Sequence, residues 1–359
     1  MLRASLWEKE VRIEPYGKID FAEVFRLASE QSVVGLVAVG LKHAEDAEVP
    51  KMDKFQLISE TLQLEQQNRS MNAFIAELIQ KMRESGIYAL LVKGQGVALC
   101  YEHPLWRSCG DVDFFLNEEN YEKAKAYLTP LAASVEKEYV REKHLGMTID
   151  PWVVELHGRL YSGLSGRIER ELDEVSRDTF VNGNVRCWKN GDTEVPLMAV
   201  ENDAFYVFTH ILQHFYKGGI GLRQICDWCR LLYRYREEID VEKLEGRLHR
   251  AGLMTEWKAF GAYAVEYLGM PVESMLMYSP SKKWVRKANR INSFILSVGN
   301  MGQIRDSRYM KYPYFIRKCF SAGRRIGDLI HHTMIFPLDS LRFFPWIMWN
   351  GVRSAVRGE

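Results

Sequence analysis

The sequence predicts an α+β protein in which a small mixed β-sheet with its helices lies between an N-terminal and a C-terminal helical region. In residues 23–44 and 55–85, apolar side chains recur at three- and four-residue steps, which indicates amphipathic helices. A short, continuously apolar run at 87–92 is typical of a strand buried on both faces. Asn-Gly pairs further along the chain indicate hairpins, so the middle of the chain is predicted to form the sheet.

The predicted elements of the middle of the chain alternate between strands and helices. In chain order they are a strand at 87–92, a Lys-Gly-Gln-Gly turn at 93–96, a short helix at 97–101, a strand at 112–116, a helix at 121–131, a hairpin of 144–149 with 152–157, and a second hairpin around 184–189. Helices at 202–216 and 222–235 follow. We therefore predict an N-terminal helical segment at 1–54, a core at 55–198 and a C-terminal helical region at 199–359.

Length and composition narrow the classes of protein. A chain of 359 residues with 47% apolar content can bury a large core. Its 48 Lys and Arg residues nearly balance 47 Asp and Glu, so any affinity for nucleic acid or an anionic membrane has to be local. The first residues do not resemble a secretory signal, and no uncharged apolar run reaches the about 18 residues of a spanning helix. Six scattered cysteines fit a reducing, cytoplasmic setting.

Acidic residues on two predicted strands form the first candidate site. Asp111 and Asp113 are two residues apart on a strand, so their side chains leave the same face. Glu155 lies among apolar neighbours on a later strand, and the three acids meet if the two strands pair. Such oxygen ligands suit Mg²⁺ better than Zn²⁺. A solvated strand end is the alternative interpretation of the Asp pair.

Basic and glycine residues lie close to these acids in the sequence. Lys93 and Gly94 end the first predicted strand, where backbone N–H groups and an ammonium could contact phosphate oxygens. A turn that serves only the chain geometry is the alternative. Arg107, between the two strands, is either a phosphate clamp or an ordinary surface arginine.

Three segments together resemble a known family. The segments LLVKGQGVALCYEHPLWRSCGDVDFFL, VVELHGRL and HILQHFYKGGIGLRQICDW are similar, in order and spacing over about residues 55–232, to the uncharacterised bacterial nucleotidyltransferases of the polymerase-β-like superfamily. The resemblance implies a polymerase-β-like core, with Gly94 in the triphosphate turn, Asp111 and Asp113 as metal ligands and Glu155 as the third acid. The wider superfamily has a Gly-Ser pair where this chain has Lys93-Gly94-Gln95.

The resemblance also implies a reaction and its cofactors. We expect Mg²⁺ or Mn²⁺, with an NTP as co-substrate, to support transfer of a nucleoside monophosphate to a hydroxyl acceptor, with release of pyrophosphate. Glu155 would complete the metal site or help to deprotonate the acceptor. Lys93, Gln95 and Arg107 would contact the phosphates. The altered turn leaves a catalytically silent nucleotide-binding adaptor as a second interpretation, and an adenylyltransferase of aminoglycoside or lincosamide type is a narrower one.

Histidines extend the candidate site. His157 shares a strand face with Glu155, so it contacts the nucleotide or the acceptor, or is simply the hydrogen-bond partner of the acid. His210 and His214 are one helical turn apart, and with Arg223 and Asp227 they resemble the family's His-x-x-x-His, Arg and Asp positions. These four residues are predicted either to line an acceptor pocket or to form a structural network between two helices.

The C-terminal third has a local excess of positive charge. Between Lys282 and Arg325 there are twelve Lys and Arg residues and one acid, Asp306. Apolar residues from 315 to 330 recur on one side of a predicted helix, and an aromatic tail follows at 336–349. Residues 282–349 are therefore predicted either to contact a membrane surface or polyanion, which would make this a surface-binding protein, or to dock on the core with the charges in water.

Overall fold

The computed structural model describes residues 1–299 and 311–357. Within them the chain forms one mixed sheet of seven strands in the order β3-β4-β5-β2-β1-β7-β6. The strands are β1 (Leu90–Val92), β2 (Asp111–Phe115), β3 (Ser134–Val135), β4 (His144–Ile149), β5 (Trp152–His157), β6 (Val185–Asn190) and β7 (Thr193–Met198).

Helices precede, interrupt and follow the sheet, as the sequence predicts for this fold class. They are α1 (Leu2–Trp7), α2 (Phe21–Glu30), α3 (Val34–Lys42), α4 (Lys51–Glu84), α5 (Gly94–Ala98), α6 (Glu118–Leu128), α7 (Gly166–Phe180), α8 (Val200–Lys217), α9 (Leu222–Arg234), α10 (Val241–Ala251), α11 (Met254–Glu266), α12 (Lys282–Val298), α13 (Tyr314–Ile335) and α14 (Pro337–Arg357). None of these helices, within the described residues, has the length and apolarity needed to cross a bilayer. The boundaries between the three predicted segments stay predictions.

The pairing of the central strands positions the acidic residues. β2 is antiparallel to β1 and parallel to β5, and this register places Asp113 beside Glu155. β4 and β5 form the first predicted hairpin, in which His144 is directly opposite His157. β6 and β7 form the second predicted hairpin, and β7 joins the sheet by pairing parallel to β1. The sheet is therefore mixed, as the sequence predicts.

Three local predictions differ from the structure. The predicted helix at 23–44 is two helices, α2 and α3, because Ser32 adopts a left-handed backbone conformation with φ of 56° between them. The first strand is confined to Leu90–Val92, since Lys93 also has φ of 56°, and α5 begins at Gly94 instead of residue 97. On α4, Phe55 and Leu62 are exposed, because this helix of 34 residues extends beyond the sheet that covers its second half.

Buried side chains form two clusters on the two sides of the sheet. One joins the second half of α4 and α6 to one face, with Ile75, Phe114 and Tyr121 at its centre. The larger one is helical and contains Trp228 and Trp257, both fully buried between α8, α9 and α11. The elements on either side of the acidic residues are thus held by separate sets of apolar contacts, each removing large side chains from water.

Replacement of Gly35 by Ala should destabilise the protein. A Cβ on this α3 residue would lie 1.8 Å from the backbone oxygen of Trp106, which α4 holds in place through a hydrogen bond from Asn68 to the neighbouring Leu105 carbonyl. We expect a loss of about 1–3 kcal/mol in the free energy of unfolding, measured by urea denaturation. Gly166→Ala is the matched control, because a Cβ at this first residue of α7 meets no atom within 4 Å. Equal stability of the two variants would contradict the close approach of α3 to this loop.

Candidate active site

Three carboxylates meet on one face of the sheet. Asp111 and Asp113 leave β2 on the same side, and the parallel register with β5 brings Glu155 beside them. Each offers one oxygen atom, and these atoms all lie within 4.8 Å of one another. Asp113 is 2% exposed, whereas the other two acids are partly accessible. The meeting of the three acids, which the sequence predicted if these strands paired, is confirmed.

Two basic side chains contact the most buried acid. The Lys93 Nζ atom lies 2.7 Å from Oδ1 of Asp113, and the His157 Nε2 atom lies 2.7 Å from the same oxygen. Lys93 reaches it from the end of β1, which is paired antiparallel with β2. Burial disfavours the charged form of Lys93, but the Asp113 charge outweighs burial and raises the pKa of the ammonium. An ammonium and an imidazole therefore neutralise Asp113 in the absence of another cation.

The other two acids differ in their ionisation. Burial, and then the charge of Asp113, raises the pKa of Asp111. Burial also acts to raise the pKa of Glu155, but hydrogen bonds from His144 and His157 and the charge of Lys93 lower it well below its ordinary value. Glu155 is thus ionised at neutral pH. Three hard oxygen donors at this separation, two of them with accessible atoms, fit a divalent cation such as Mg²⁺ or Mn²⁺.

A cavity of about 80 Å³ opens beside the carboxylates, between the sheet and helices α8 and α9. Nine of the sequence-predicted site residues line it: Lys93, Gly94, Arg107, Asp111, Asp113, His210, His214, Arg223 and Asp227. Glu155 and His157 adjoin it through their contacts with the Asp113 group. The Gln95 side chain lies elsewhere, because it is buried and donates to Oδ1 of Asn68 on α4. Gln95 could therefore contact a ligand here only through its backbone.

Arg107 and Asp227 form a buried pair at the wall of the cavity. The guanidinium donates to both Asp227 oxygens, from Nε at 3.1 Å and from Nη2 at 2.6 Å. Tyr101 also donates to Asp227, at 2.8 Å. Arg107 is 4% exposed, so the interpretation as an ordinary surface arginine is wrong. Its Nη1 atom is buried and has no hydrogen-bond partner among the described residues, and this is the donor that remains for a ligand.

The two histidines of α8 are neutral and contact each other. Their Nε2 atoms lie 3.0 Å apart. Burial, and then the charge of Lys93, lowers the pKa of His210 far below its ordinary value and that of His214 to about 4. One imidazole therefore donates to the other at neutral pH.

Arg223 at the start of α9 is the second guanidinium of the cavity. Its Nη1 atom donates to the backbone oxygen of Ser108 at 3.2 Å. Its Nε atom is buried without a hydrogen-bond partner in the part of the chain that the structure describes. With Lys93 and Arg107, this residue gives the cavity three positive side chains beside the three carboxylates of Asp111, Asp113 and Asp227.

Sequence reasoning missed two residues of the site. His144 on β4 lies 3.1 Å from the Glu155 carboxylate, and counting outwards from the Asp150-Pro151 turn would have paired it with His157. Tyr206 is one helical turn before His210, and its ring lies 5.9 Å from the Lys93 ammonium. Burial raises the pKa of Tyr206 to about 12, so its hydroxyl is neutral.

A mixed sheet with flanking helices, and acids that meet on the neighbouring strands β2 and β5, is consistent with a nucleotidyltransferase fold. The sequence model of the family described as uncharacterised nucleotidyltransferases matches residues 17–269. This match covers well over half of the chain, and the protein belongs to that family.

Comparison with solved structures gives a weak likeness. The crystal structure of an antigenic nucleotidyltransferase-like protein from Paracoccidioides brasiliensis is similar over 56% of this chain and 93% of its own, with 11% identity and a TM-score of 0.33. A likeness at this level carries no argument about the site. No curated protein matches the sequence.

The pKa of His214 gives a prediction about stability and pH. Because the folded pKa of about 4 is below the about 6.5 of an unfolded histidine, the unfolded chain binds more protons between these values. Stability should fall as the pH falls through this range, by about 2 kcal/mol between pH 7 and pH 5 from this group.

We expect His214→Asn to lose less stability than the wild type over this interval, as measured by urea unfolding at each pH. His249→Asn, which changes a histidine on the exposed surface of α10, is the matched control and should keep the pH dependence of the wild type. An unchanged slope in His214→Asn would contradict the buried, neutral state of this side chain.

Proposed function

We propose that this member of the family is a Mg²⁺-dependent enzyme that transfers a nucleoside monophosphate from an NTP to a hydroxyl acceptor and releases pyrophosphate. The observation that carries the proposal is the meeting of Asp111, Asp113 and Glu155 beside a cavity lined by unpaired guanidinium donors. A site that holds both carboxylates and positive side chains suits a ligand that bears both a cation and phosphate oxygens.

The three acids would hold the divalent cation. When bound there, Mg²⁺ or Mn²⁺ would neutralise the charge that develops on the phosphate oxygens and orient the α-phosphate. Asp113 has contacts with Lys93 and His157 that keep its carboxylate in place beforehand. Preorganised ligands of this kind lower the cost of assembling the site.

Side chains of the protein would bind the phosphates and take the proton of the acceptor. The acceptor oxygen attacks the α-phosphorus, a new P–O bond forms, the bond to the β-phosphate breaks, and pyrophosphate leaves. Glu155, which is partly exposed beside the other two acids, would complete the metal site or help to take the proton of the acceptor hydroxyl. Lys93, Arg107 and Arg223 would contact the phosphate oxygens, since all three line the cavity.

The size of the cavity limits what it encloses. Its volume of about 80 Å³ is well below the about 300–1,000 Å³ of pockets that bury a whole ligand. We therefore propose that it takes phosphate groups, with the nucleoside and the acceptor at its mouth. His210 and His214 line its inner wall, and their neutral rings could accept a hydrogen bond from a phosphate hydroxyl or from the acceptor.

A catalytically silent nucleotide-binding adaptor is the alternative within this site. Its support is the Lys93-Gly94-Gln95 turn, which lacks the serine hydroxyl of the wider superfamily and whose Gln95 side chain is engaged with Asn68. Metal-dependent binding of an NTP without pyrophosphate release, across candidate acceptors, would select the adaptor.

We also propose a cytoplasmic location, which the free thiols of buried Cys100 and Cys226 support.

Removal of the metal ligands should abolish turnover without unfolding the protein. Asp111→Asn keeps the Lys93–Asp113 ion pair, so it should retain its thermal midpoint while losing at least about 100-fold in pyrophosphate release with NTP and Mg²⁺. Asp113→Asn should lose as much activity and also some stability, because it leaves the buried ammonium without its partner. Asp192→Asn, at the turn between β6 and β7, is the matched control. Undiminished turnover in Asp111→Asn would reject the assignment.

A second proposed property is contact of α13 with an anionic membrane surface. Five apolar residues of this helix are exposed, each by 40% or more: Ile316, Phe320, Ile326, Ile330 and Met334. Steps of four residues keep most of them on one side of the helix. The sequence predicted an apolar face here, although residues 300–310 and the side chains of Phe315 and Cys319 lie outside what the structure describes.

Charge favours a lipid surface as the occupant of this face. The segment from Lys282 to Arg325 has twelve Lys and Arg residues and one acid, whereas the whole chain has a net charge of +1. An exposed apolar side with basic residues on the same helix suits the boundary between lipid headgroups and acyl chains. We favour a lipid surface over docking of this apolar face on the core because Phe320 and Ile330 are exposed, whereas His332 and Ile335 at the end of the helix are buried.

Sedimentation with vesicles tests the membrane proposal. The wild type should bind vesicles of phosphatidylcholine with about 30% phosphatidylserine, bind weakly to phosphatidylcholine alone, and dissociate at high salt. Phe320→Asp combined with Ile330→Asp should remove binding by placing charges in the apolar face.

Val181→Asp, at an isolated exposed valine, and Asp111→Asn are the controls and should bind as the wild type does. Dimerisation of the wild type that the paired Asp substitutions abolish, without vesicle binding, would assign the face to a second copy instead.

A further inference from the structure

We propose that His144, Glu155 and His157 form a second cation site, which binds a divalent transition metal such as Zn²⁺ without nucleotide. The inference deepens the proposed function, because Glu155 belongs to both ligand sets. It is nevertheless testable without any turnover, since the site is built by the β4–β5 hairpin alone.

The antiparallel register assembles the three donors. His144 is directly opposite His157, and Glu155 is two residues from His157 on the same face. The Nε2 atoms of the two histidines lie 3.1 and 3.4 Å from the same Glu155 oxygen, and the three ligand atoms are within 4.8 Å of one another. Ligands about 2.0–2.1 Å from a tetrahedral metal are about 3.3 Å apart, so both distances match neighbouring ligands of one ion.

Aromatic stacking fixes the histidine ring on β4. The ring of His144 lies between that of His157, at 4.8 Å and 23°, and that of Tyr139, at 5.9 Å and 28°. This arrangement directs its Nε2 atom towards Glu155. A ligand whose orientation is held before the metal arrives loses less entropy on binding.

A further carboxylate lies on the same face. Gly146 is opposite Glu155 in the hairpin, and a Cβ on this glycine would lie 2.6 Å from Oε2 of Glu136. The missing side chain therefore makes room for the Glu136 carboxylate near the histidine cluster. A second negative group near the cluster favours a cation over a neutral hydrogen-bonded network.

The nitrogen donors distinguish this site from the all-oxygen one. Imidazole nitrogens suit Zn²⁺, and two histidines with one carboxylate and an open position form a common zinc ligand set. Asp111, Asp113 and Glu155 suit Mg²⁺ or Mn²⁺ instead. His157 donates from Nε2 to Oδ1 of Asp113, and binding of a transition metal by this nitrogen would replace that hydrogen bond.

Metal titration of the full chain, stripped with EDTA and free of nucleotide, tests the proposal. We expect the wild type to bind one equivalent of Zn²⁺ by calorimetry, and its Co²⁺ form to show the strong visible absorption of a tetrahedral site. His144→Asn should weaken Zn²⁺ binding by more than about tenfold and remove the Co²⁺ bands. His144→Gln is a second variant, and circular dichroism checks that each variant is folded.

Three controls separate this site from other Zn²⁺ ligands. His249→Asn and Cys187→Ser remove an exposed imidazole and an exposed thiol, and both should bind Zn²⁺ as the wild type does. Asp111→Asn should also keep Zn²⁺ binding, because Asp111 is not among the three ligands.

Two outcomes overturn the proposal: no Zn²⁺ binding by the wild type, or equal affinity in the wild type and His144→Asn. The fate of the proposed function is read separately. Pyrophosphate release with Mg²⁺ and no Zn²⁺ binding would reject only the second site. Zn²⁺ binding lost in His144→Asn, with no NTP turnover, would reject only the transferase activity.

Discussion

The repulsion between three neighbouring carboxylates is the constraint on which the site depends. At about 5 Å and an effective dielectric constant of about 20, each ionised pair would repel by about 3 kcal/mol. The parallel pairing of β2 with β5 nevertheless holds Asp113 beside Glu155, because the backbone ladder fixes their positions. The contacts of Lys93 and His157 with Asp113, both at 2.7 Å, offset that repulsion. Exchange of these contacts for a divalent cation is the chemistry that such an arrangement supports.

The conformation of Lys93 links the turn to this electrostatic balance. With φ of 56°, this residue lies between the end of β1 and the start of α5. Its side chain reaches Asp113 on the neighbouring strand β2. Gly94 follows with φ of 39°, where a Cβ would lie 3.3 Å from Sγ of Cys109. The Lys-Gly pair is therefore suited to a charged contact with the acids.

The helical region supplies the opposite wall of the cavity. On α8, Phe208 and Phe215 pack into the aromatic core with Trp228 and Phe260, at ring distances of 5.2 and 5.5 Å. His210 and His214, on the opposite face of α8, line the cavity beside the carboxylates. Packing of large aromatic side chains thus sets the position of the histidines of α8 at the cavity.

One buried ion pair connects the two walls. Arg107 lies in the loop that leads into β2, and Asp227 lies on α9. Their two hydrogen bonds therefore join the sheet to the helical region. A buried pair of this kind costs about 3–5 kcal/mol to break when one partner is removed. The same pair leaves Nη1 of Arg107 at the cavity. The same guanidinium therefore joins the two walls and keeps one donor at the cavity.

Local patterns predicted a large part of the fold and of the acidic cluster. The two-residue spacing of Asp111 and Asp113 predicted a common face, and the turn at Asp150-Pro151 predicted the first hairpin, but the pairing of His144 with His157 was not predicted. The break at Ser32 was not predicted, because positive φ at a serine has no strong sequence signal. The exposure of Phe55 was also not predicted, since periodicity identifies an apolar face but not what covers it.

The sequence by itself determined the fold class, both hairpins and the family, because periodicity, turn residues and motif spacing are local properties of the chain. Only the tertiary structure decided the partners of the charged residues. In the structure Arg107 pairs with Asp227, Lys93 pairs with Asp113, and the side chain of Gln95 donates a hydrogen bond to Asn68. These contacts join residues far apart in the chain, and the energy of a charge depends on the groups that surround it in three dimensions. For the same reason, the cavity between the sheet and α9 could not be derived from the sequence of the strands alone or of the helix alone.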